Sequence, residues 1–142
     1  MRTWQKASKL AAVVTVAGGL ALTGTSAAVA GETLAQKRIG QCGTGVFLDG
    51  IRAISVSESG RDEVYITSNG TKIWPVTGAY VSMAAGQRVE VDKCVPSNAQ
   101  IRIWDEDTAD WDDDLGGFKV QGEVTRNYEP VGAGHYRIGA IA

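Results

Sequence analysis

Residue types and motifs on which many enzymes depend are scarce in this sequence. The 142 residues include 1 histidine, His135, and 2 cysteines that lie far apart, which is too few for a zinc site. The sequence contains no G-x-S-x-G element and no phosphate-binding glycine loop. Its acids are concentrated in one stretch, which suits cation binding better than the two opposed roles of glycosidase carboxylates. We therefore expect a protein without enzymatic activity.

Long apolar runs are also lacking. The run Leu10–Leu22 is too short to span a bilayer comfortably. It follows a basic segment, Met1–Lys9, and precedes small residues that end in Ala28-Val29-Ala30, which is the pattern of a secretory signal peptide. The sequence thus predicts a signal peptide over residues 1–30 and a secreted, extracellular mature protein that does not span the membrane.

An excess of positive charge is lacking as well. All 16 acidic residues follow position 30, whereas 3 of the 14 basic residues precede it, so the predicted mature chain has a net charge of −5. Nucleic-acid binding requires a concentrated basic face. The charge balance therefore argues against a nucleic-acid partner.

The two cysteines, Cys42 and Cys94, are an even number in a chain that we expect to enter an oxidising compartment. A disulfide between them would close a loop of roughly fifty residues, which the chain-entropy model values at about 4 kcal/mol. We predict this disulfide as a structural cross-link.

Short alternating segments separated by turns begin at residue 46. They are Val46–Ser57, Val64–Ser68, Thr71–Trp74, Gln87–Asp92, Ala99–Trp104, Gly117–Val124 and His135–Ile141. No segment has a sustained apolar period of 3.6 residues, and the 3 prolines lie at segment edges. We therefore assign residues 31–45 to an N-terminal leader. Residues 46–142 are predicted to form one all-β domain, an antiparallel sandwich or barrel.

The dipeptide Asn69-Gly70 between two alternating segments is a strong hairpin signal, because both residues tolerate the positive φ of a tight turn. A two-residue turn pairs Ser68 with Thr71. It follows that Ile66 pairs with Ile73, and that Tyr65 pairs with Trp74.

Seven carboxylates occur within the ten residues Asp105–Asp114, between two predicted strands. Charges at this density repel one another, and Ca²⁺ would offset the repulsion because it prefers carboxylate and carbonyl oxygens. Alternate residues of a strand point to one side, so Asp105 and Asp107 are expected to project together. The EF-hand spacing fails, since Asp110 stands where that motif requires glycine. A solvated loop that only aids solubility is the simpler alternative.

The acidic stretch resembles the third calcium-binding loop of C2 domains. In that family a strand leads into the pattern D-x-D-x-x-x-x-x-D-x-x-G, and the residues with this spacing here are Asp105, Asp107, Asp113 and Gly116. Upstream, Ser59–Ile66 is similar to the first loop of the family, with Asp62 at its acid position. The resemblance covers residues 46–141, nearly the whole predicted domain.

The resemblance implies an all-β fold, a C2-like antiparallel β-sandwich of about eight strands. It also implies calcium binding, with side-chain ligands at Asp62, Asp105, Asp107 and Asp113. Glu58 is the acid nearest to the position where the first loop of the family carries a further aspartate. Glu58 and Asp112 are the candidates that complete the coordination. Calcium with open coordination positions would then bridge to an anionic lipid or protein partner.

Trp111 lies at the expected tip of the acidic loop. There it either contacts a lipid headgroup layer or a partner's pocket, or folds back over its own loop. The main alternative function is a metal-independent extracellular interaction module, an inhibitor or adhesin, whose acidic loop engages a basic partner. A further alternative is a structural extracellular protein in which calcium only rigidifies the loop.

Overall fold

The computed structural model describes residues 41–142 of the chain. The predicted signal peptide over residues 1–30, and the predicted leader as far as residue 40, lie outside the described residues. Within the described part, no helix has the length and the apolar character needed to cross a bilayer.

Nine β-strands make up the described part of the chain. They are β1 (Gly45–Ser55), β2 (Arg61–Ser68), β3 (Thr71–Trp74), β4 (Val81–Ala84), β5 (Arg88–Pro96), β6 (Gln100–Asp105), β7 (Asp113–Lys119), β8 (Arg126–Tyr128) and β9 (His135–Ile141). One antiparallel sheet has four strands in the order β5-β1-β9-β8. The other has five, with β3-β2-β6-β7 as neighbours and β4 also paired with β2. The predicted fold class, an all-β antiparallel sandwich, is confirmed.

The core lies between the two sheets and is filled by the inward faces of the strands. On β2 and β6 the alternation is regular: Val64, Ile66 and Ile103 are fully buried, and the residues between them are more exposed. Tyr136 on β9 is the largest fully buried side chain. Burial of such a side chain stabilises a fold by about 1.5 to 3 kcal/mol. Alternating apolar residues therefore explain most of the sandwich.

The turn between β2 and β3 forms at Asn69-Gly70, where both residues have positive φ, and the first pair beyond the turn is the predicted one. The register then shifts, so that Ile66 pairs with Trp74 and not with Ile73. The predicted pairings of Ile66 and of Tyr65 were both wrong because a bulge places an extra residue in β3. Trp74 is buried as a result, and its indole N–H donates to the Glu90 carbonyl at 3.0 Å.

The predicted disulfide between Cys42 and Cys94 is present, with a Cα–Cα distance of 5.4 Å. It connects the segment before β1 to β5, which is an outer strand of the four-stranded sheet. Backbone pairing between β1 and β5 already runs from Gly45 to Arg52. The cross-link therefore secures an edge that the sheet also holds.

The strands around the acidic stretch differ from the prediction. The alternation predicts a strand over 117–124, whereas β7 begins at Asp113 and ends at Lys119. The strand starts earlier because the main chain of Asp113 already pairs with Asp105. The acidic loop proper is therefore 106–112. Two further strands, β4 and β8, have four and three residues, which is too short to give a clear alternation.

Candidate functional site

Two carboxylates lie inside one end of the sandwich. Asp62 is near the start of β2 and Asp105 ends β6, and both occupy inward-facing positions of their strands. The strands are adjacent and Asp105 pairs with Val64, so the two side chains meet at the same end of the core. Asp62 is 0 % exposed and Asp105 is 1 % exposed. The structure thus brings together one acid from each loop predicted to bind calcium.

Hydrogen-bond donors surround the buried carboxylate of Asp62. The Ser57 backbone N lies 3.0 Å from both carboxylate oxygens, and the Ser57 hydroxyl lies 2.9 Å from Oδ1. The Glu58 N–H donates at 3.4 Å, and the Tyr136 hydroxyl donates to Oδ2. Burial, together with this bond to Asp62, raises the pKa of Tyr136. Asp62 therefore ties the 56–60 loop to β9 through the core.

Asp105 has fewer donors than Asp62. It accepts a hydrogen bond from the Glu63 N–H, and the Ser57 hydroxyl lies 3.1 Å from its Oδ2. Burial raises the pKa of Asp105 to about 6. The hydrogen bond from Glu63 lowers this pKa, and the negative charge of Asp62 raises it further. Asp105 is therefore protonated in mildly acidic solution, where exposed carboxyls are ionised.

An open depression of about 460 Å³, called the acidic depression below, lies next to the buried pair. It is lined by Glu58, Asp107, Ala109, Asp110, Trp111 and Asp113. Among the described residues, no lysine, arginine or histidine forms an ion pair with any of these four carboxylates. Trp111 is 89 % exposed, so it extends into solvent and does not fold back over its loop. The acidic depression is thus a place of uncompensated negative charge.

Asp112 and Asp114 make other contacts. The Tyr65 hydroxyl donates to Asp112 at 2.6 Å, and burial together with this bond raises the pKa of Tyr65. Asp114 forms an ion pair with Arg102 and accepts the Gly116 N–H at 2.9 Å. Both acids are therefore partnered by the protein itself.

The six predicted ligands fall into three places, which are the buried pair (Asp62, Asp105), the acidic depression (Glu58, Asp107, Asp113) and the bond to Tyr65 (Asp112). In the part of the chain that the structure describes, they do not form a group of three whose ligand oxygens all lie within 4.8 Å of one another. Asp110 lines the depression as well, although the C2-like spacing gives it no role. The high density of acids was the only sequence signal for it.

A different group of three acids does bring its ligand oxygens this close together, and the sequence did not predict it. Asp49, Glu90 and Asp92 have ligand oxygens that all lie within 4.8 Å of one another, so this outer acidic group could hold a metal ion. Arg88 lies beside it and pairs with Asp49 at 2.6 Å and with Glu90. The guanidinium already offsets part of the negative charge.

The outer acidic group depends on a bulge, which explains why the sequence pattern misses it. The register of β1 and β5 shifts between Leu48 and Gly50, so that Asp49 is opposite two residues of β5. Asp92 has a φ of +50° there. The alternation of Glu90 and Asp92 along β5 is visible in the sequence. The sequence does not predict that Asp49 of β1 lies beside them.

No protein-family model and no curated protein sequence matches this chain. The two-sheet antiparallel sandwich is therefore established by the structure alone. The resemblance to C2 domains remains an interpretation of the loop spacing.

Proposed function

We propose that the protein is a secreted, non-enzymatic β-sandwich module that binds calcium at its acidic end. The observation that supports this function is the acidic depression, where four carboxylates from two loops and the start of β7 line one open space without a cationic partner among the described residues. Such charges repel one another, and a hard divalent cation that accepts oxygen ligands offsets the repulsion.

The proposed direct ligands are the four carboxylates of the depression, which are Glu58, Asp107, Asp110 and Asp113. Calcium takes about six to eight oxygen ligands at about 2.3 to 2.6 Å, so main-chain carbonyls and water complete the shell. None of the four side chains is fixed by an ion pair in the described part of the chain, so each is free to change rotamer and approach the ion.

Asp62 and Asp105 support the site in this proposal. Their bonds to Ser57 hold the loop that carries Glu58, in the way that outer groups commonly orient metal ligands. A direct ligand role for the two buried acids, as the C2 resemblance implies, stays a prediction. It requires Ser57 to move, because its N–H and hydroxyl now occupy the carboxylate oxygens.

The exposed indole of Trp111 suggests how calcium would act on a partner. Because Trp111 lines the same depression, calcium and the indole can contact one anionic surface together. We propose an anionic lipid or protein as that partner. Co-sedimentation with phosphatidylserine vesicles, with and without calcium, tests the lipid case, and Trp111→Ala should reduce the bound fraction.

The outer acidic group is a second candidate place for the ion. Its favourable feature is that its ligand oxygens already lie within 4.8 Å of one another. Its unfavourable feature is Arg88, whose bonds to Asp49 and Glu90 a cation would have to displace. We therefore favour the acidic depression.

Isothermal titration with calcium separates the two places. We expect a dissociation constant of about 0.1 to 1 mM, as in other extracellular modules. Asp107→Asn combined with Asp113→Asn should weaken binding by about tenfold or more, because two charged ligands are lost. Asp92→Asn should leave binding unchanged. Glu123→Gln, at an exposed position outside both groups, is the control for the loss of one charge.

Three outcomes would contradict the proposal in different ways. Loss of binding in Asp92→Asn alone would move the ion to the outer acidic group. If calcium gives no heat of binding with the wild type or any variant, and the melting temperatures in calcium and in chelator are equal, the protein does not bind calcium. Binding to a basic partner that persists in chelator, and is lost with Asp107→Asn, would favour the metal-independent interaction module.

A further inference from the structure

Three arginines lie side by side on the outer face of the four-stranded sheet. Arg52 on β1 pairs with Arg88 on β5 and, across its other edge, with Arg137 on β9. Directly opposite residues of antiparallel strands share one face of the sheet, and their Cβ atoms are about 4.5 to 5.5 Å apart. All three side chains are exposed. Like charges placed opposite one another are destabilising, so this arginine row needs an explanation.

The two outer arginines have carboxylate partners. Arg88 pairs with Asp49 and Glu90, and Arg137 pairs with Glu129 at 2.6 Å. The central Arg52 differs from both. It has no ion pair and no hydrogen bond among the described residues, although its position in the sheet is directly between two other arginines. The row is thus neutralised at its ends and not at its centre.

A small cleft of about 150 Å³ opens beside the row. Its lining consists of Asp49, Gly50, Arg52, Arg88, Asn127, Arg137 and Gly139. Two of these residues are glycines, which have no side chain to fill the space. The charged groups of the lining are three arginines and one aspartate, so the cleft has an excess of positive charge. A compact anion therefore fits its size and its charge.

We propose that this cleft binds an oxyanion group, a phosphate or a carboxylate, through Arg52 and Arg137. The planar guanidinium offers paired N–H donors that match two oxygens of such a group, and these charge-assisted bonds are stronger than neutral ones. Asn127 adds an amide to the same cleft. The carboxylates of Asp49, Glu90 and Glu129 are nearby, but each already pairs with an outer arginine.

The bound anion would supply what Arg52 lacks. It would neutralise the central guanidinium and thereby reduce its repulsion with the two neighbours. The cleft shares no lining residue with the acidic depression, and it attracts an anion where the depression attracts a cation. The proposal therefore does not depend on calcium binding.

Titration with inorganic phosphate and with succinate, followed by NMR of the arginine side-chain Nε–H signals, tests the proposal. The full mature chain is used at constant ionic strength and with chelator, so that calcium at the acidic depression plays no part. We expect saturable shifts at Arg52 and Arg137 with a dissociation constant of about 1 to 10 mM for at least one anion. Stronger binding of phosphate or of succinate identifies the preferred oxyanion.

Arg52→Gln should weaken binding of that anion by about fivefold or more, whereas Lys119→Gln, which removes an exposed positive charge from the other sheet, should not. Arg52→Gln should also melt at the same temperature as the wild type or higher without anion, and lose the increase that the anion gives. Shifts that grow linearly without saturation, or equal affinity of wild type and Arg52→Gln, would overturn the proposal.

Discussion

The acidic end of the sandwich and the outer face of the four-stranded sheet both gather carboxylates, but they offset the charges differently. At the acidic end, neutral N–H and hydroxyl groups surround the buried Asp62 and Asp105. On the outer face, Arg88 supplies a full positive charge to Asp49 and Glu90. Neutral donors orient a carboxylate without cancelling its negative charge, whereas an arginine neutralises that charge. This difference is the reason why we propose the acidic end, and not the outer acidic group, as the place of the metal ion.

The sharpest test of this contrast is Asp62→Ala, for which we expect the largest effect. The change leaves the Ser57 N–H and the Tyr136 hydroxyl without their acceptor inside the protein. Because each unsatisfied buried donor costs about 1 to 3 kcal/mol, unfolding in urea at pH 7 should show a loss of about 3 kcal/mol or more. Glu123→Ala is the exposed control. A loss below about 1 kcal/mol would mean that water replaces the missing carboxylate.

The pH dependence of stability tests the burial of Asp105. Its pKa of about 6 in the folded state lies above the ordinary value of 3.8, so the folded protein binds the proton more tightly than the unfolded chain. The resulting stabilisation is fully present below about pH 4 and is lost as the pH rises through about 6. The loss amounts to up to about 3 kcal/mol.

Asp105→Asn, which mimics the protonated carboxyl, should remove this dependence. In chelator, urea unfolding should give equal stabilities for the variant and the wild type at pH 4 and a more stable variant at pH 7. A wild type that is as stable as the variant at pH 7 would contradict the raised pKa of Asp105.

Tyr136→Phe should have an intermediate effect. It removes one hydroxyl that donates to the buried Asp62, and a hydrogen bond to a charged group contributes about 1.5 to 3 kcal/mol. Thermal unfolding should therefore show a loss of about 2 kcal/mol. Tyr80→Phe is the matched control, because Tyr80 is exposed. Equal melting temperatures for the two variants would contradict the role assigned to the Tyr136 hydroxyl.

Glu90→Ala on the outer face should have the smallest effect. The Arg88–Glu90 pair is solvent-exposed, with side-chain exposures of 36 % and 51 %. Exposed pairs contribute about 0 to 1 kcal/mol, so the loss should lie in that range and shrink in high salt. A loss as large as that of Asp62→Ala would remove the distinction between the two regions.

The fold follows from features that are local in sequence. Alternating residues on β2 and β6, and the Asn69-Gly70 turn, are enough to predict an antiparallel sandwich or barrel. Alternation does not predict where a bulge lies, because a bulge changes only which residues of two neighbouring strands pair with each other. The pairing of Ile66 with Trp74 was missed for that reason.

The candidate site was predictable to the same extent. The spacing of acids singled out Asp62 and Asp105 as candidate ligands, and that role stays a prediction. Their burial side by side at inward positions of β2 and β6 is seen only in the structure. Tyr136 is 74 residues away from Asp62 in sequence, so its bond depends on the packing of β9. Ser57 is only 5 residues from Asp62 but 48 from Asp105, and a serine beside an acidic residue carries no signal of its own. Asp49 and the arginine row were missed because they depend on strand order and register.

The Ser57 hydroxyl lies between the two buried carboxylates, and its single hydrogen cannot serve both of them. It lies 2.9 Å from an oxygen of Asp62 and 3.1 Å from an oxygen of Asp105, yet a hydroxyl has a single hydrogen to donate. With both acids ionised, one of these two contacts has no hydrogen. A neutral Asp105 supplies the missing one by donating to the Ser57 oxygen, and the chain from Tyr136 to Asp105 is then complete. The loop that carries Glu58 is therefore held most firmly when Asp105 is neutral.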